Sequence, residues 1–316
     1  GLGLRSFLGF GLFLLALQDI LQRHEILRTT FQIIPGMTLP VQVIAESGVL
    51  SYAEYDLTGQ TSREQEHQVD VFSQALKDEG TDSTDSSLMR TILVKLSDVN
   101  HVLLIDLPGY CADAVTFSNL LRELESLYTG YVQGDTVALN DPLQYADFAE
   151  WQHALLEDED GQSGRAYWRE QATAIFGALG NRLSIERGKS AIGGIALKRI
   201  PVAVSKQSFN EIDAMVKRQG SSHSTFFLAC WCILLQRLMG QEEVVVGVAC
   251  DGRTHDETRN AFGPFAKYLP VRRRLDDNLR FNAVLVSIQH AVTESHEWQE
   301  YFSWEAIREP IENTAG

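Results

Sequence analysis

Two apolar β-type runs set back to back, the second leading straight into a helix, constrain this chain most. Met89–Ser97 (MRTILVKLS) and Asn100–Leu107 (NHVLLIDL) are separated by a short polar turn, and the second ends in the loop LPGYCADAVTF, Leu107–Phe117. Ser118–Val132 (SNLLRELESLYTGYV) then takes up helical spacing, with Ser118 or Asn119 as candidate cap. A buried strand that ends in a loop before an amphipathic helix is a place where a scaffold presents functional side chains.

The same alternation runs along the rest of the chain. Ala16–Phe31 (ALQDILQRHEILRTTF) has Leu17, Ile20, Leu21, Ile26 and Leu27 near the i, i+3, i+4 spacing of a helix, and its Thr-Thr-Phe tail reads as strand. Further on, 195–205 (IALKRIPVAVS) reads as a strand, 208–220 (SFNEIDAMVKRQG) as a helix and 221–240 as a capped, buried helix. Glu242–Cys250 (EEVVVGVAC) reads as a strand covered on both faces. Gly, charge and low hydrophobicity concentrate in LLEDEDGQSGRAYW and LGNRLSIERGKSAIGG, which divides the chain into an amino-terminal lobe, 1–180, and a carboxy-terminal lobe, 181–316. With no exact repeat, two mixed lobes point to a pseudo-duplicated α+β arrangement.

The ends are less regular. GLGLRSFLGFGLFLLAL is apolar and Gly-rich, but Arg5 and Ser6 interrupt it and it lacks a small-residue cleavage site, so it reads as a fragment boundary or joined segment, not a signal or a membrane span. EPIENTAG, at the other end, has no closing element, and the chain reads as truncated on both sides.

A net charge of −15 argues against a nucleic-acid partner, because such binders displace counterions with clustered Lys and Arg. Cys111, Cys230, Cys232 and Cys250 form no zinc-type pairing and have no secretory context, which fits a reduced cytoplasm and no bound metal. Cys230 and Cys232 lie in the apolar run FFLACWCILLQRL and read as packing residues.

Several motifs then occur in order. RHEILRTTF (Arg23–Phe31) matches RHExLRTxF; YADFAEW (Tyr145–Trp151) is similar to YxDYAxW; VVVGVACDGR (Val244–Arg253) to VVVGxPxxGR; and FGPFAKYLPVR (Phe262–Arg272) to IGxFVNTLPLR. With them the chain resembles the condensation domains of nonribosomal peptide synthetases, of the chloramphenicol-acetyltransferase-like superfamily. HEWQEYFSW is a weak match to that family's HQDxPFE, and its opening SxAQxRLW is absent. HEILR is not a zinc-protease motif, since it lacks the second His at i+4.

The resemblance implies two similar lobes in a V with an active site in a tunnel between them. Donor and acceptor peptidyl carrier proteins would present phosphopantetheine-tethered aminoacyl or peptidyl thioesters there, beside an adenylation domain, with no cofactor bound by the domain itself. The family's active-site motif, HHxxxDG, follows the strand occupied here by HVLLIDL. Aligning its Asp with Asp113 puts Pro108 and Gly109 at the two His positions and Ala114 at the Gly. Tyr110 and Ala114 then fall on the tunnel wall.

Neither Pro108 nor Gly109 can move a proton. His101 stands at the start of the strand, roughly 20 Å away at ~3.3 Å per residue. Cys111 is a conceivable nucleophile, but no cation adjoins it in sequence, and a buried inert thiol is the favoured reading. His223, His255, His290 and His296 read as surface or capping residues. By resemblance Asp113 is structural and paired with an Arg: Arg28 is the first candidate and Arg253 the second.

Three readings stay open. One is amide or ester formation between carrier-tethered thioesters with atypical or impaired chemistry. Another is a noncatalytic docking domain for carrier proteins or a tailoring enzyme, and the third a free-standing CoA-dependent acyltransferase.

Overall fold

The computed structural model describes residues 7–37, 39–79, 88–179, 200–276 and 278–304. They belong to two compact units, Gly1–Gln152 with Arg253–Ala266, and His153–Gly252 with Lys267–Gly316.

The first unit opens with α1 (Phe7–Arg23), a 3-10 turn (Glu25–Arg28) and the antiparallel pair β1 (Thr29–Gln32) and β2 (Val41–Ile44). The helix begins well inside the Gly-rich stretch that reads as a boundary, and Phe13, Ala16, Leu17, Ile20 and Leu21 line one buried face of it. A three-stranded sheet follows, β3 (Ser51–Asp56), β4 (Arg90–Lys95) and β5 (His101–Asp106), in the order β3-β4-β5. β3 runs parallel to β4, joined through α2 (Ser62–Glu79), as parallel neighbours require a crossover.

β4 and β5 form the antiparallel hairpin expected from the sequence, closed by bonds between Ser97 and Asn100. Their side chains alternate. Ile92, Val94, Val102 and Leu104 pack with Val69, Phe72 and Leu76 of α2, while Leu103 and Ile105 join Leu17, Leu120 and Leu124 on the other face. At the end of the hairpin Arg90 faces Asp106 and bonds it at 2.5 Å, fixing the strand just before the loop. α3 (Ala114–Gln133) leaves that loop and packs on α1, and α4 starts at Tyr145 and runs to Glu157.

In the second unit are α5 (Gln162–Leu179), α6 (Lys206–Arg218) and α7 (His223–Met239), then β6 (Glu243–Cys250), β7 (Lys267–Arg274) and α8 (Phe281–Glu297). β6 and β7 pair antiparallel from Glu243↔Arg274 to Cys250↔Lys267. Ala229, Cys232, Val244, Leu285 and Ile288 form one core cluster, and Trp168, Ala172, Leu269 and Phe302 another. The Trp168 indole N–H donates to the Trp298 carbonyl at 2.8 Å, so this buried ring keeps its polar atom satisfied.

Four expectations change. The units divide at Gln152/His153, not at 180/181, and 253–266 returns to the first unit; loop composition marks turns, whereas long-range bonds decide which unit a segment joins. The 180–194 stretch lies outside the described residues. Residues 200–204 form no strand: Ile200 and Val202 are exposed and Pro201 offers no amide donor, while 195–199 lie outside the described residues. α7 is capped as expected by Ser222, whose Oγ accepts from the Thr225 amide at 3.0 Å, but it is not buried all round, since Phe227, Trp231 and Leu234 are exposed. β6 is likewise open in part, with Val244 buried and Gly247 and Ala249 exposed, because it pairs on one edge only, with β7, among the described residues.

Candidate functional site

β5 delivers its last residues into a tight turn. The Cys111 amide donates to the Pro108 carbonyl at 3.0 Å, and the Cys111 thiol, wholly buried, donates to the same oxygen at 3.2 Å. Burial, with the charge of Asp106 behind it, pushes this thiol up to about 12. Its thiolate is therefore scarce at neutral pH, and Cys111 serves as packing rather than as a nucleophile. Tyr110 sets its ring edge-on against Phe31, 5.5 Å between centroids. Gly109 is exposed, and a Cβ built on it would meet no heavy atom within 4 Å.

Asp113 closes the turn and starts α3. It is the N-cap, its Oδ1 accepting from the Thr116 amide at 2.8 Å, so the helix begins four residues before Ser118. The carboxylate also receives a bidentate guanidinium. Arg253 Nη1 lies 2.6 Å from Oδ2 and Nη2 3.0 Å from Oδ1, with the Arg253 and Asp113 side chains 2% and 8% exposed. The Ala266 amide donates to Oδ2 at 3.1 Å. Burial opposes the charge on Asp113, but the Arg253 bonds, the Thr116 amide and the charge of Arg253 outweigh it and hold the carboxyl below its usual range.

Arg253, the second candidate, is thus the partner of Asp113. Arg28, the first, instead faces Glu25 at 3.6 Å and donates to the Ala45 carbonyl, tying the 3-10 turn to β2. Its place in the RHEILRTTF motif gave no information about distance in the fold.

Around this ion pair the recognisable motifs meet. Arg253 stacks over Phe265 with Cζ 4.3 Å from the ring centroid, and Phe265 packs against Tyr145 and Phe148 of α4. Thr116 Oγ1 donates to the Gly263 carbonyl at 2.9 Å. Gly263 sits at φ +149°, where a Cβ would come within 2.2 Å of the Tyr145 ring, so glycine is required twice over. His24, buried, stacks on Phe262 at 3.5 Å and shares a 2.9 Å hydrogen bond with Glu123.

Thr116, Gly263 and Ala266 were not singled out from sequence. The signal was present, however, since Thr116 stands three residues after Asp113 and the other two lie within FGPFA.

The remaining candidates lie elsewhere. His101 is at the opposite end of β5 from the loop, and burial lowers its pKa. His255 sets its ring edge-on to Trp151. In the second unit His223 stacks on Phe209 and His290 faces Glu294 at 3.2 Å. Ala114 is exposed in the first turn of α3. Among the described residues no three His, Cys, Asp or Glu side chains group as a metal site, and no helix is long and apolar enough to cross a membrane.

The profile of the condensation domain matches residues 7–313. The chain belongs to the condensation-domain family. This condensation domain is 30% identical over 290 residues to a component of the linear gramicidin synthase of Brevibacillus parabrevis, covering 90% of the chain and 4% of that protein. It is 28% identical over 304 residues to gramicidin S synthase 2 of Brevibacillus brevis, covering 94% and 6%. These relatives are nonribosomal peptide synthetases, and the domain spans only a small part of their length.

Among solved structures, its fold is similar to the condensation domain of the monacolin K polyketide synthase MokA, with a TM-score of 0.77, 21% identity, and 95% and 67% of the two chains covered. It is also similar to the X-domain from teicoplanin biosynthesis, with a TM-score of 0.74, 23% identity, and 96% and 66% covered. The α+β fold of the family is therefore that of this condensation domain.

Proposed function

We propose that this condensation domain acts inside a cytoplasmic nonribosomal peptide synthetase, beside an adenylation domain, on thioesters tethered by phosphopantetheine to donor and acceptor carrier proteins. It holds the acceptor amine in line with the donor thioester carbonyl, and bond formation draws on that placement without a base from the loop. The observation behind this reading is a scaffold kept whole around an open Gly109: the Asp113–Arg253 clamp, the helix cap and the motif contacts are all made, while Pro108, Gly109 and Cys111 supply no group that exchanges protons at neutral pH.

Magnitudes favour residual chemistry. Holding two reactants in line is worth about 7–11 kcal/mol of barrier, whereas forgoing general-base help costs roughly 3–5 kcal/mol. The gain from placement therefore outlasts the loss of the base.

The likeness to the X-domain, which has been solved in complex with OxyB, favours a second reading as a docking domain for a tailoring enzyme. The two separate in one assay. Donor and acceptor carrier proteins are loaded, and condensation is followed with and without the domain. Positioning predicts product above the uncatalysed rate. A rate equal to that background overturns it and leaves docking, which binding of the carriers or of a tailoring enzyme then tests.

A further inference from the structure

We infer that residues 200–204 are a strap that closes onto the second unit, laying Ile200, Val202 and Val204 along the open edge of β6 as an added strand beside α7. The inference concerns the second unit alone and does not depend on the proposed chemistry.

The free edge of β6 lacks the usual protection. Among the described residues β6 pairs only with β7, and from Val244 to Cys250 it carries no charge and no proline, the devices that keep an exposed edge from pairing. A groove of about 810 Å³ lies beside it, lined by Val246, Gly247 and Val248 of β6, Phe227 and Trp231 of α7 and Val292 of α8. Among the described residues no Asp, Glu, Lys or Arg lines this groove, so its chemistry suits an uncharged, extended segment that bonds through its backbone.

Residues 200–204, IPVAV, have that chemistry. Ile200, Val202 and Val204 alternate and are 81%, 85% and 42% exposed, so the apolar side of a strand period stands in solvent. In an extended chain, residues that share a face also turn their N–H and C=O groups to one side. With Ile200, Val202 and Val204 turned to β6, the Pro201 nitrogen faces away from it, where an edge strand tolerates proline.

The groove is also within reach. Ser205 caps α6, and its carbonyl accepts from the Phe209 amide at 2.9 Å. The Phe209 ring stacks on His223, the first residue of α7, with 5.2 Å between centroids, and the neighbouring Ser222 and Ser224 line the groove. The strap therefore joins α6 within about 10 Å of the groove, and a run of this length spans roughly 16 Å when extended.

The test is amide hydrogen exchange of the whole chain, followed by NMR. In the native protein the Ile200, Val202 and Val204 amides should exchange about tenfold or more slower than that of Ala203. Val202→Asp puts a charge into the groove, and should abolish that protection and shift the Trp231 indole signal. Ala203→Asp, at an equally exposed position on the opposite face, should do neither.

Fast, equal exchange along 200–204 in the native chain overturns the inference without recourse to any variant. Protection that Ala203→Asp removes as readily as Val202→Asp also overturns it, since the docked face would then be the wrong one. Protection that fades on dilution assigns the added strand to a second copy and overturns closure within one chain.

Discussion

At the scale of single residues, the Asp113–Arg253 pair is the most informative feature of the structure. Two buried charges gain from each other only while both are present, and removing one strands the other. Asp113→Ala is expected to destabilise the chain by about 3–5 kcal/mol, with loss of the α3 cap as part of that cost. Arg253→Met should cost a similar amount, and the double variant clearly less than the sum, because no uncompensated charge then remains. Urea unfolding of the four proteins reads this directly; additive losses would mean the pair is not coupled as described. That Asp113 pairs with an arginine was an expectation of the family resemblance, since it is the one residue of that motif present here. Which arginine was less legible, since Arg253 lies 140 positions away and only the fold brings it to the loop.

At the scale of elements, period and turn chemistry were good guides wherever one local pattern decides the outcome. The β4–β5 hairpin, the Ser222 cap of α7 and the β1 tail after the 3-10 turn all follow from short-range signals. They failed where long-range packing decides. The hydrophobic period of α3 becomes obvious only at Ser118, yet the helix starts at Ala114 because Asp113 and Thr116 supply the cap. Exposure of Phe227 and Trp231 on α7 could not be read from an apolar run, which looks the same whether or not something covers it.

The approach of the Phe262–Ala266 segment to α3 also gives an element-scale prediction. Gly263→Ala places a methyl group within 2.2 Å of the Tyr145 ring at a φ of +149°, so α4 must shift or the segment must lift. A loss of about 1–3 kcal/mol is expected, accompanied by weaker protection of the Thr116 region in hydrogen exchange. An unchanged midpoint would show that the contact is slack.

At the scale of the whole molecule, two compact units are built from a chain that crosses between them more than once. The sequence places the break by composition, but Arg253–Ala266 belongs with the first unit through the bonds it makes to Asp113, Thr116 and Asn119. Family membership was legible because its motifs are strung along the chain in order; what they are for became visible only when they met around one carboxylate. The architecture of a condensation domain is thus retained, and Gly109, which the motif resemblance aligns with a histidine of the family, is exposed.

The most direct measurement is the single-turnover rate of peptide-bond formation by Gly109→His beside the native chain, with the same loaded carriers at pH 7.5. Since the space is free, the account predicts a folded variant whose rate rises, by up to about 10²- to 10⁴-fold. A well-folded Gly109→His chain that condenses no faster than the native one would contradict it.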